Sequence, residues 1–392
     1  MTRPLDIAIA GCGPCGLAAA LLLHLDGHRV TLFERFHTPR PVGSGLMIQP
    51  TGQAVLRRLG LGEALAARGA RIDCLFGANA AGRAVLDVRY AALGDARGIG
   101  IHRASLFDLL HAAVAGEGIA IEAGRIVVAL VDRRLVFADG PSKGPFDLVV
   151  DALGARTTLA PPTGRALAYG ALWASLDWPV EGFDAHALEQ RYRAASAMVG
   201  VMPIGTPPGA TRPQAAFFWS LRAKALAGWH RAGLQAWKQQ VVTLWPATAS
   251  LIDQIADPGR LTFARYTHRT LRHPAAPGLI HLGDAWHSTS PQLGQGVNMA
   301  LLDAWALAFA LRERAALADA LALAASLRGD HVALYQWMSV LFTPVYQSDS
   351  LVLPWLRDAL VARVTPIPPA PRILAAMVAG VIGSPLRRLG LA

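Results

Sequence analysis

A loop near the start of the chain has glycines spaced to bind phosphate. It comprises Gly11, Cys12, Gly13, Pro14, Cys15 and Gly16, in the pattern G-x-G-x-x-G. In such a loop the first glycine permits a tight turn, the second lets the backbone approach a pyrophosphate, and the third lets a helix pack on a strand. Free N–H groups at the start of the helix attract phosphate charge. We therefore predict that a dinucleotide pyrophosphate is bound by Gly11, Gly13, Pro14, Cys15 and Gly16.

The segments on either side of this loop are the ones that the motif requires. Residues 5–10 are short and mostly apolar, which predicts a buried parallel strand, and residues 17–25 are strong helix formers. A second predicted strand at 29–33 ends at Glu34, where an acidic side chain can bind ribose hydroxyls. This context favours a Rossmann-like α/β domain, with Glu34 and Arg35 at the nucleotide, over a glycine turn without a ligand.

A second glycine-rich segment lies far downstream. Its chemistry-bearing residues are Gly283, Asp284, His287, Pro291, Gly294, Gln295, Gly296, Val297 and Asn298. The segment has the composition of a tight turn that leads into a helix, where an acidic side chain and backbone N–H groups meet the rest of a large cofactor. Together the two glycine-rich segments predict that the chain binds FAD.

Cys12 and Cys15 also form a Cys-x-x-Cys pair, which is the pattern of a redox dithiol. A helix N-terminus lowers thiol pKa and could activate such a pair. However, both residues fill variable positions of the glycine loop, and the third cysteine, Cys74, has no evident partner. We favour two small residues beside phosphate over a working dithiol. The low cysteine number also indicates a reducing compartment without disulfides.

Composition limits the class of protein. The chain has 392 residues, of which 53% are hydrophobic and 16% charged, so it is long enough for two domains and is not disordered. Its net charge of +10 suits anionic cofactors, acidic substrates or membrane lipid. No motif supports nucleic-acid binding, and no secretory signal or membrane-spanning run is evident, so we expect a cytoplasmic protein.

Segments typical of a cofactor domain are separated by a region of different composition. One predicted strand leads into a helix at His102-Arg103, and another ends at Asp151. Between residues 157 and 274, tryptophans and phenylalanines occur among strand-like pieces and proline-rich turns, as core or as pocket lining. We predict a discontinuous FAD-binding domain (residues 1–75, 98–160 and 275–310), a mixed β-sheet substrate-binding domain (76–97 and 161–274) and a C-terminal helical region (311–392).

These motifs make the chain resemble the single-component FAD-dependent aromatic hydroxylases, of the para-hydroxybenzoate hydroxylase and ubiquinone-pathway hydroxylase type. The most specific match is Gly283 to Ala304, which follows the family pattern Gly-Asp-Ala-x-His…Pro…Gly-Gln-Gly-x-Asn…Asp-Ala. The resemblance implies that Arg103 and Asp151 contact the cofactor and that Asp284 binds its ribityl chain. It also implies that Pro291 through Asn298 lie beside the isoalloxazine.

The resemblance further implies a monooxygenase. NADH or NADPH would reduce FAD, O₂ would add to the reduced flavin, and a flavin C4a-hydroperoxide would deliver oxygen to an aromatic, quinone-precursor or polyketide-like ring. The family usually has Asp-Gly followed by a serine and an arginine, in a segment that contacts both FAD and NAD(P)H. Here Asp151 is followed by Ala152 and the spacing to the arginine differs, which bears on the binding of the pyridine nucleotide. Two alternatives stay open: a flavin-dependent reductase or dehydrogenase of the same fold, and a non-enzymatic redox flavoprotein.

Catalytic side chains are poorly defined by the sequence. His287 is the first candidate for proton transfer, although its place in the family pattern suggests a structural role. Tyr266, His268 and His281 are weaker candidates. The loop residues Pro291, Gly294, Gln295 and Gly296 are expected beside the reacting ring, and no metal is predicted.

Two apolar stretches near the C-terminus, residues 351–356 and 373–382, are too short to span a bilayer. They lie among Arg357, Arg363, Arg372, Arg387 and Arg388. Helices packed on the FAD domain are the simpler interpretation. The alternative is an apolar surface edged by arginines that contacts a membrane or a partner. We expect a monomer or homodimer that acts on a small aromatic molecule.

Overall fold

The computed structural model describes residues 3–40, 44–179, 181–365 and 367–392. In chain order, the strands are β1 (Asp6–Ala10), β2 (Arg29–Phe33), β3 (Gly45–Ile48), β4 (Ala70–Ile72), β5 (Cys74–Asn79), β6 (Ala84–Arg89), β7 (Gly98–His102), β8 (Ala120–Glu122), β9 (Val127–Val131), β10 (Arg134–Phe137), β11 (Leu148–Asp151), β12 (Arg165–Asp177), β13 (Ala187–Arg193), β14 (Ala197–Pro203), β15 (Gln214–Arg222), β16 (Thr262–Thr270), β17 (Ala275–Ala276), β18 (Leu279–His281) and β19 (His287–Ser288).

The helices contribute the remaining regular structure. They are α1 (Pro14–Leu25), α2 (Pro50–Arg58), α3 (Gly62–Arg68), α4 (Arg103–Gly116), α5 (Leu226–Leu244), α6 (Ala249–Asp253), α7 (Gly296–Glu313), α8 (Leu317–Tyr346), α9 (Val352–Val364), α10 (Ala370–Ala379) and α11 (Pro385–Arg388). Helix α5 is kinked at Gly233, whose φ of 82° is not helical. Within the described ranges, none of these helices has the length and apolar character needed to cross a membrane.

A six-stranded sheet forms the first layer, in the order β17-β18-β11-β1-β2-β8. All of its strand pairs are parallel except β17 with β18 at one edge. Helix α1 is buried from Cys15 to Leu23, because the alanines and leucines of this stretch pack against α7 and α4 as well as the sheet. Helices on a parallel sheet confirm the predicted Rossmann-like α/β fold.

An eight-stranded sheet, in the order β19-β16-β12-β15-β14-β13-β5-β6, forms the second large layer. The sheet is mixed, because β13 and β5 pair in parallel while all other strand pairs of the sheet are antiparallel. Alternate residues of its central strands, such as Leu172 and Phe217, pack against Trp237 of α5. The opposite face carries Trp173 and Phe218, whose ring centroids lie 4.8 Å apart. This second face is turned toward the three-stranded sheet β3-β7-β4 and the C-terminal helices.

The C-terminal helices are bound to the eight-stranded sheet by side-chain contacts. Asp349, just after α8, accepts a hydrogen bond from Tyr169 of β12 at 2.6 Å and pairs with Arg222 of β15. Much of the stretch 373–382 is buried, as the simpler interpretation of it predicted. Arg357, in contrast, does not edge an apolar surface. Its guanidinium is buried, lies over the rings of Tyr192 and Tyr346, and donates to two backbone carbonyls.

Candidate functional site

The glycine loop joins β1 to α1, and its three glycines occupy different surroundings. Gly11 has a φ of 108°, and a Cβ there would lie 2.5 Å from the carbonyl oxygen of Ala152. A Cβ at Gly16 would collide with the carbonyl oxygen of Gly11. Gly13, at the start of α1, has no protein atom within 4 Å of the corresponding position. The first and third glycines therefore permit close backbone packing, and the second faces open space of the kind that a phosphate needs.

Glu34 lies at the carboxyl end of β2, beside this loop. One carboxylate oxygen accepts a hydrogen bond from the Cys12 amide at 3.0 Å, and the other accepts from the Phe36 amide at 3.1 Å. Each oxygen has a further lone pair for a ribose hydroxyl. The side chain thus fixes the glycine loop and retains the capacity for the predicted contact. Arg35 is exposed, and its guanidinium lies 4.6 Å from the centroid of the Phe36 ring.

Arg103 and Asp284 face a common cleft from opposite elements. Arg103 is the first residue of α4, and Asp284 follows β18. Both side chains are accessible to solvent, yet many protein atoms lie around them. This combination is typical of residues that line a deep, open cleft. Burial lowers the pKa of Arg103, and the charge of Asp284 opposes this shift. Burial likewise raises the pKa of Asp284, opposed by His287 and Arg103. The cleft thus holds opposite charges suited to a large polar cofactor.

The loop after Asp284 ends where helix α7 begins. Pro291 is exposed, Gly294 adopts a left-handed conformation with φ of 61°, and no side chain caps the first turn of α7 at Gln295. A Cβ at Gly296 would lie 4.0 Å from an Asp284 carboxylate oxygen, so the helix starts beside that residue. Its free N–H groups, including those near Val297, give this end of the cleft a partial positive charge.

Asn298 does not present its side chain to the cleft. Its amide nitrogen donates to the carbonyls of Met47 and Gly294 at 3.1 and 2.9 Å, and its amide oxygen accepts from the Gln49 backbone at 2.8 Å. The side chain is fully buried. It therefore ties α7 to the segment between β3 and α2, and only the backbone at this position can approach a cofactor.

Asp151 is also placed differently from the expected cofactor contact. Its carboxylate is fully buried and accepts hydrogen bonds from the Leu153 amide at 3.0 Å and the Thr157 hydroxyl at 2.6 Å. The same carboxylate lies 2.7 Å from Nδ1 of His281. With these partners, Asp151 organises the loop after β11, and His281 has a structural role rather than a catalytic one.

His287 belongs to a buried charged network. Its Nε2 lies 2.6 Å from Asp303 of α7, which also accepts a hydrogen bond from the Gly283 amide at 3.0 Å. Arg328 of α8 donates to the other oxygen of Asp303 at 2.8 Å and to Nδ1 of His331 at 2.8 Å. The sequence interpretation did not identify Arg328 and His331, although their three-residue spacing places both on one face of a helix.

The network holds the loop between Asp284 and the start of α7, which we call the cofactor-side loop, and it does not reach the cleft. Burial alone would raise the pKa of Asp303, but the charges of His287 and Arg328 lower it to about 2. Burial and the neighbouring Arg328 lower the pKa of His331 to about 3, so its neutral ring accepts from Arg328 and donates to the Gly380 carbonyl at 3.0 Å. His287 is 2% exposed, which favours its structural role over proton transfer to a ligand.

An aromatic pair from two neighbouring strands reaches the cleft near Arg103. The indole N–H of Trp173 donates to the hydroxyl of Tyr266 at 2.9 Å. Burial raises the pKa of Tyr266 to about 12, opposed by Trp173 and the charge of Arg103. Tyr266 therefore stays protonated, and its O–H remains a donor. His268, two residues along β16, lies 3.4 Å from the Thr289 hydroxyl, and burial lowers its pKa.

The two cysteines of the glycine loop are buried, and neither forms a disulfide. Burial and the charge of Glu34 raise the pKa of Cys12 to about 12, and burial raises that of Cys15 well above its ordinary value. The Cys15 thiol donates to the Ala300 carbonyl at 3.5 Å. These surroundings disfavour the thiolate that redox chemistry requires.

We expect the double variant Cys12→Ala, Cys15→Ala to keep its turnover and its FAD content. In the wild-type protein with FAD bound, thiol reagents should leave both residues unmodified, as measured by mass spectrometry of the labelled peptides. Loss of turnover in a variant that still holds FAD would restore the dithiol interpretation.

The glycine loop, the open space at Gly13, the Arg103–Asp284 cleft and the uncapped start of α7 together fit FAD. The comparisons agree. A family described as "FAD binding domain" matches residues 4–132. The enzyme 3-amino-4-hydroxybenzoate 2-monooxygenase of Streptomyces cremeus is 30% identical over 342 residues, which cover 80% of this chain and 80% of that one.

Solved structures agree with the fold. HpxO of Klebsiella pneumoniae, complexed with FAD, superimposes with a TM-score of 0.80 at 19% identity, covering 97% of this chain and 100% of that one. The tetrameric form of 2-methyl-3-hydroxypyridine-5-carboxylic acid oxygenase gives a TM-score of 0.80 at 18% identity, covering 98% of each chain.

Proposed function

Because the chain belongs to the FAD-dependent monooxygenases that act on aromatic compounds, we propose that it hydroxylates an electron-rich ring with electrons from NAD(P)H and oxygen from O₂. We assign the six-stranded sheet with α1, α4 and α7 to FAD binding. The face of the eight-stranded sheet that carries Trp173 and Phe218 is assigned to an aromatic, quinone-precursor or polyketide-like substrate. When bound, FAD supplies the redox chemistry, accepting electrons from the nicotinamide and passing them to O₂.

The observation that carries this proposal is the Trp173–Tyr266 pair beside the cofactor cleft. Because Tyr266 accepts the indole N–H, its own proton is free for an acceptor on a ligand. A phenol or carbonyl oxygen of a substrate is such an acceptor. Trp173, packed against Phe218, supplies an apolar surface for the substrate ring and keeps water from it. The positive charge of Arg103 nearby favours the deprotonated form of a phenolic substrate, which is the more electron-rich form.

The remaining residues of the cleft position the cofactor. Gly13 and the start of α1 are proposed to bind its pyrophosphate, and Glu34 and Arg35 its adenosine. Asp284 is proposed to bind ribityl hydroxyls. The free N–H groups at the start of α7, from Gly296 onward, are proposed to face the ring of the cofactor, where their partial positive charge would favour negative charge.

The FAD-loaded protein should oxidise NADH or NADPH faster when a phenolic or heteroaromatic substrate is added. With isotopically labelled O₂, the label should enter the product, as measured by mass spectrometry. A product formed without the label would indicate a reductase or dehydrogenase. If no member of a broad panel stimulates oxidation, the enzymatic proposal fails.

Tyr266→Phe is expected to lower kcat/KM about tenfold for a substrate with a ring oxygen, since it removes one hydrogen bond at the site. Its FAD content should not change. Thr262→Val, at an exposed position of the same strand, is the matched control and should retain full activity. Equal activity of the two variants would show that Tyr266 does not donate a hydrogen bond to the substrate.

A further inference from the structure

Large apolar side chains are exposed on three of the C-terminal helices, and we group them as one apolar surface. We define it by Trp337 and Leu341 of α8, Leu351, Val352 and Trp355 at the start of α9, and Ile373 of α10. The two tryptophans are 68% and 70% exposed, and Leu351 is 82% exposed. No Asp, Glu, Lys or Arg occurs between Asp330 and Asp349, so this half of α8 lacks the charged face of an ordinary surface helix. Exposed apolar surface of this kind marks an interaction site.

The apolar surface lies directly behind the functional site. The inward face of α8 contacts the cofactor-side loop, where Thr289 donates to Ser339 at 2.5 Å and Gln336 donates to the Ser288 carbonyl at 3.2 Å. Trp337 and Leu341 project from the other face of the same helix. One helix, about 10 Å across, therefore separates the apolar surface from the loop beside the cofactor.

The charge around this surface is mostly positive. After residue 350 the chain contains Arg357, Arg363, Arg372, Arg387 and Arg388, and its single acidic residue is Asp358. The Asp358 carboxylate is already engaged by the buried Arg357 at 2.8 Å. Arg363 and Arg372 are exposed. Arg388 pairs with Asp330 of α8 at 3.0 Å. The surface thus combines exposed tryptophans with the exposed basic side chains of Arg363, Arg372 and Arg387.

Two occupants could cover such a surface, and the charge distinguishes them. In a symmetric dimer the same patch faces its own copy, which would bring Arg363 and Arg372 toward like charges in a chain of net charge +10. An anionic bilayer complements them, and tryptophans favour the boundary between lipid and water. We propose that the C-terminal apolar surface binds anionic lipid membranes peripherally. This inference does not depend on the proposed hydroxylation.

Flotation with lipid vesicles tests the proposal on the full-length, FAD-loaded protein. It should float with vesicles of phosphatidylcholine and phosphatidylglycerol at low salt, detach as salt rises, and bind phosphatidylcholine alone more weakly. Arg363→Gln, Arg372→Gln should weaken binding at low salt about thirty-fold. Trp337→Gln, Trp355→Gln should weaken it at both salt concentrations. All of these positions are exposed, and an unchanged flavin spectrum and melting temperature will show that the variants are folded.

Matched controls come from exposed positions elsewhere. Ile126→Gln, Val131→Gln removes apolar groups that are 48% and 54% exposed, and Arg29→Gln, Arg314→Gln removes exposed charge. Both controls should bind vesicles like the wild type. Absence of binding to anionic vesicles at low salt would overturn the proposal, as would equal losses in the control variants. So would light scattering that shows a dimer which the tryptophan variant dissociates. No substrate is used, so this test can fail while hydroxylation stands.

Discussion

Replacing Asp303 with alanine should lower the free energy of unfolding by about 3–5 kcal/mol, which is the cost of removing one partner from a buried ion pair. Arg328 is 1% exposed and donates to Asp303 at 2.8 Å, so the variant leaves a buried guanidinium without its carboxylate. It also removes the partner of His287 and the acceptor of the Gly283 amide. The cofactor-side loop should loosen together with the α7–α8 contact.

Urea unfolding of the FAD-loaded protein at neutral pH measures this effect. The matched control is Asp330→Asn on α8, whose pair with Arg388 at 3.0 Å is exposed and should contribute less than about 1 kcal/mol. Asp303→Asn keeps the shape but removes the charge and replaces one acceptor oxygen by an amide donor, so it should lower stability as well. If Asp303→Ala unfolds within about 1 kcal/mol of the wild type, the network does not hold the loop as described.

The parts of the site that could be predicted from the sequence are those built from neighbouring residues. The strand, glycine loop, helix and second strand that end at Glu34 lie within one short segment, and each glycine has a local steric reason. The segment from Gly283 to Asn298 is equally continuous. Such patterns can be recognised in the sequence because their geometry is set by adjacent turns and helix ends and does not depend on distant residues.

Other features of the site depend on contacts between distant parts of the chain. Asp151 was expected at the cofactor, but the pairing of β11 with β18 sets it beside His281, 130 positions away. Trp173 and Tyr266 meet across neighbouring strands, 93 positions apart. The Asn298 side chain is hydrogen-bonded to the backbone of Met47 and Gln49 at the end of β3. In each case the residue type was informative, while its partner was fixed by strand register or by helix packing, which no local pattern encodes.

Burial also separates residues that look alike in the sequence. Arg357 and Arg363 both follow apolar stretches, yet one guanidinium is buried over two tyrosine rings and the other is exposed. The difference arises because Arg357 points toward the last turn of α8 and the turn between β13 and β14, where the backbone carbonyls of Val345 and Ala194 accept its N–H groups. The sequence therefore located the apolar stretches and the arginines among them, but not which of these arginines are buried.

Two alanine substitutions in the glycine loop should separate the needs of the fold from those of the cofactor. At Gly16 the added methyl group would meet the Gly11 carbonyl, which is backbone and cannot move aside, so α1 must shift and both stability and FAD binding should fall. At Gly13 the methyl group would meet no protein atom within 4 Å, but it would occupy the space proposed for the pyrophosphate. The FAD-free Gly13→Ala protein should therefore melt like the wild type.

For Gly13→Ala we expect FAD affinity to fall about ten- to one-hundred-fold, as overpacking against a fixed ligand predicts. Equilibrium titration of the FAD-free protein, followed by flavin fluorescence, gives the affinity, and differential scanning calorimetry gives the melting temperature. Gly116→Ala, at the end of α4 and with nothing within 4 Å, is the control and should change neither the affinity nor the fold. Wild-type FAD affinity in Gly13→Ala would mean that the pyrophosphate does not approach this position. A lowered melting temperature in its FAD-free form would mean that Gly13 also serves the fold.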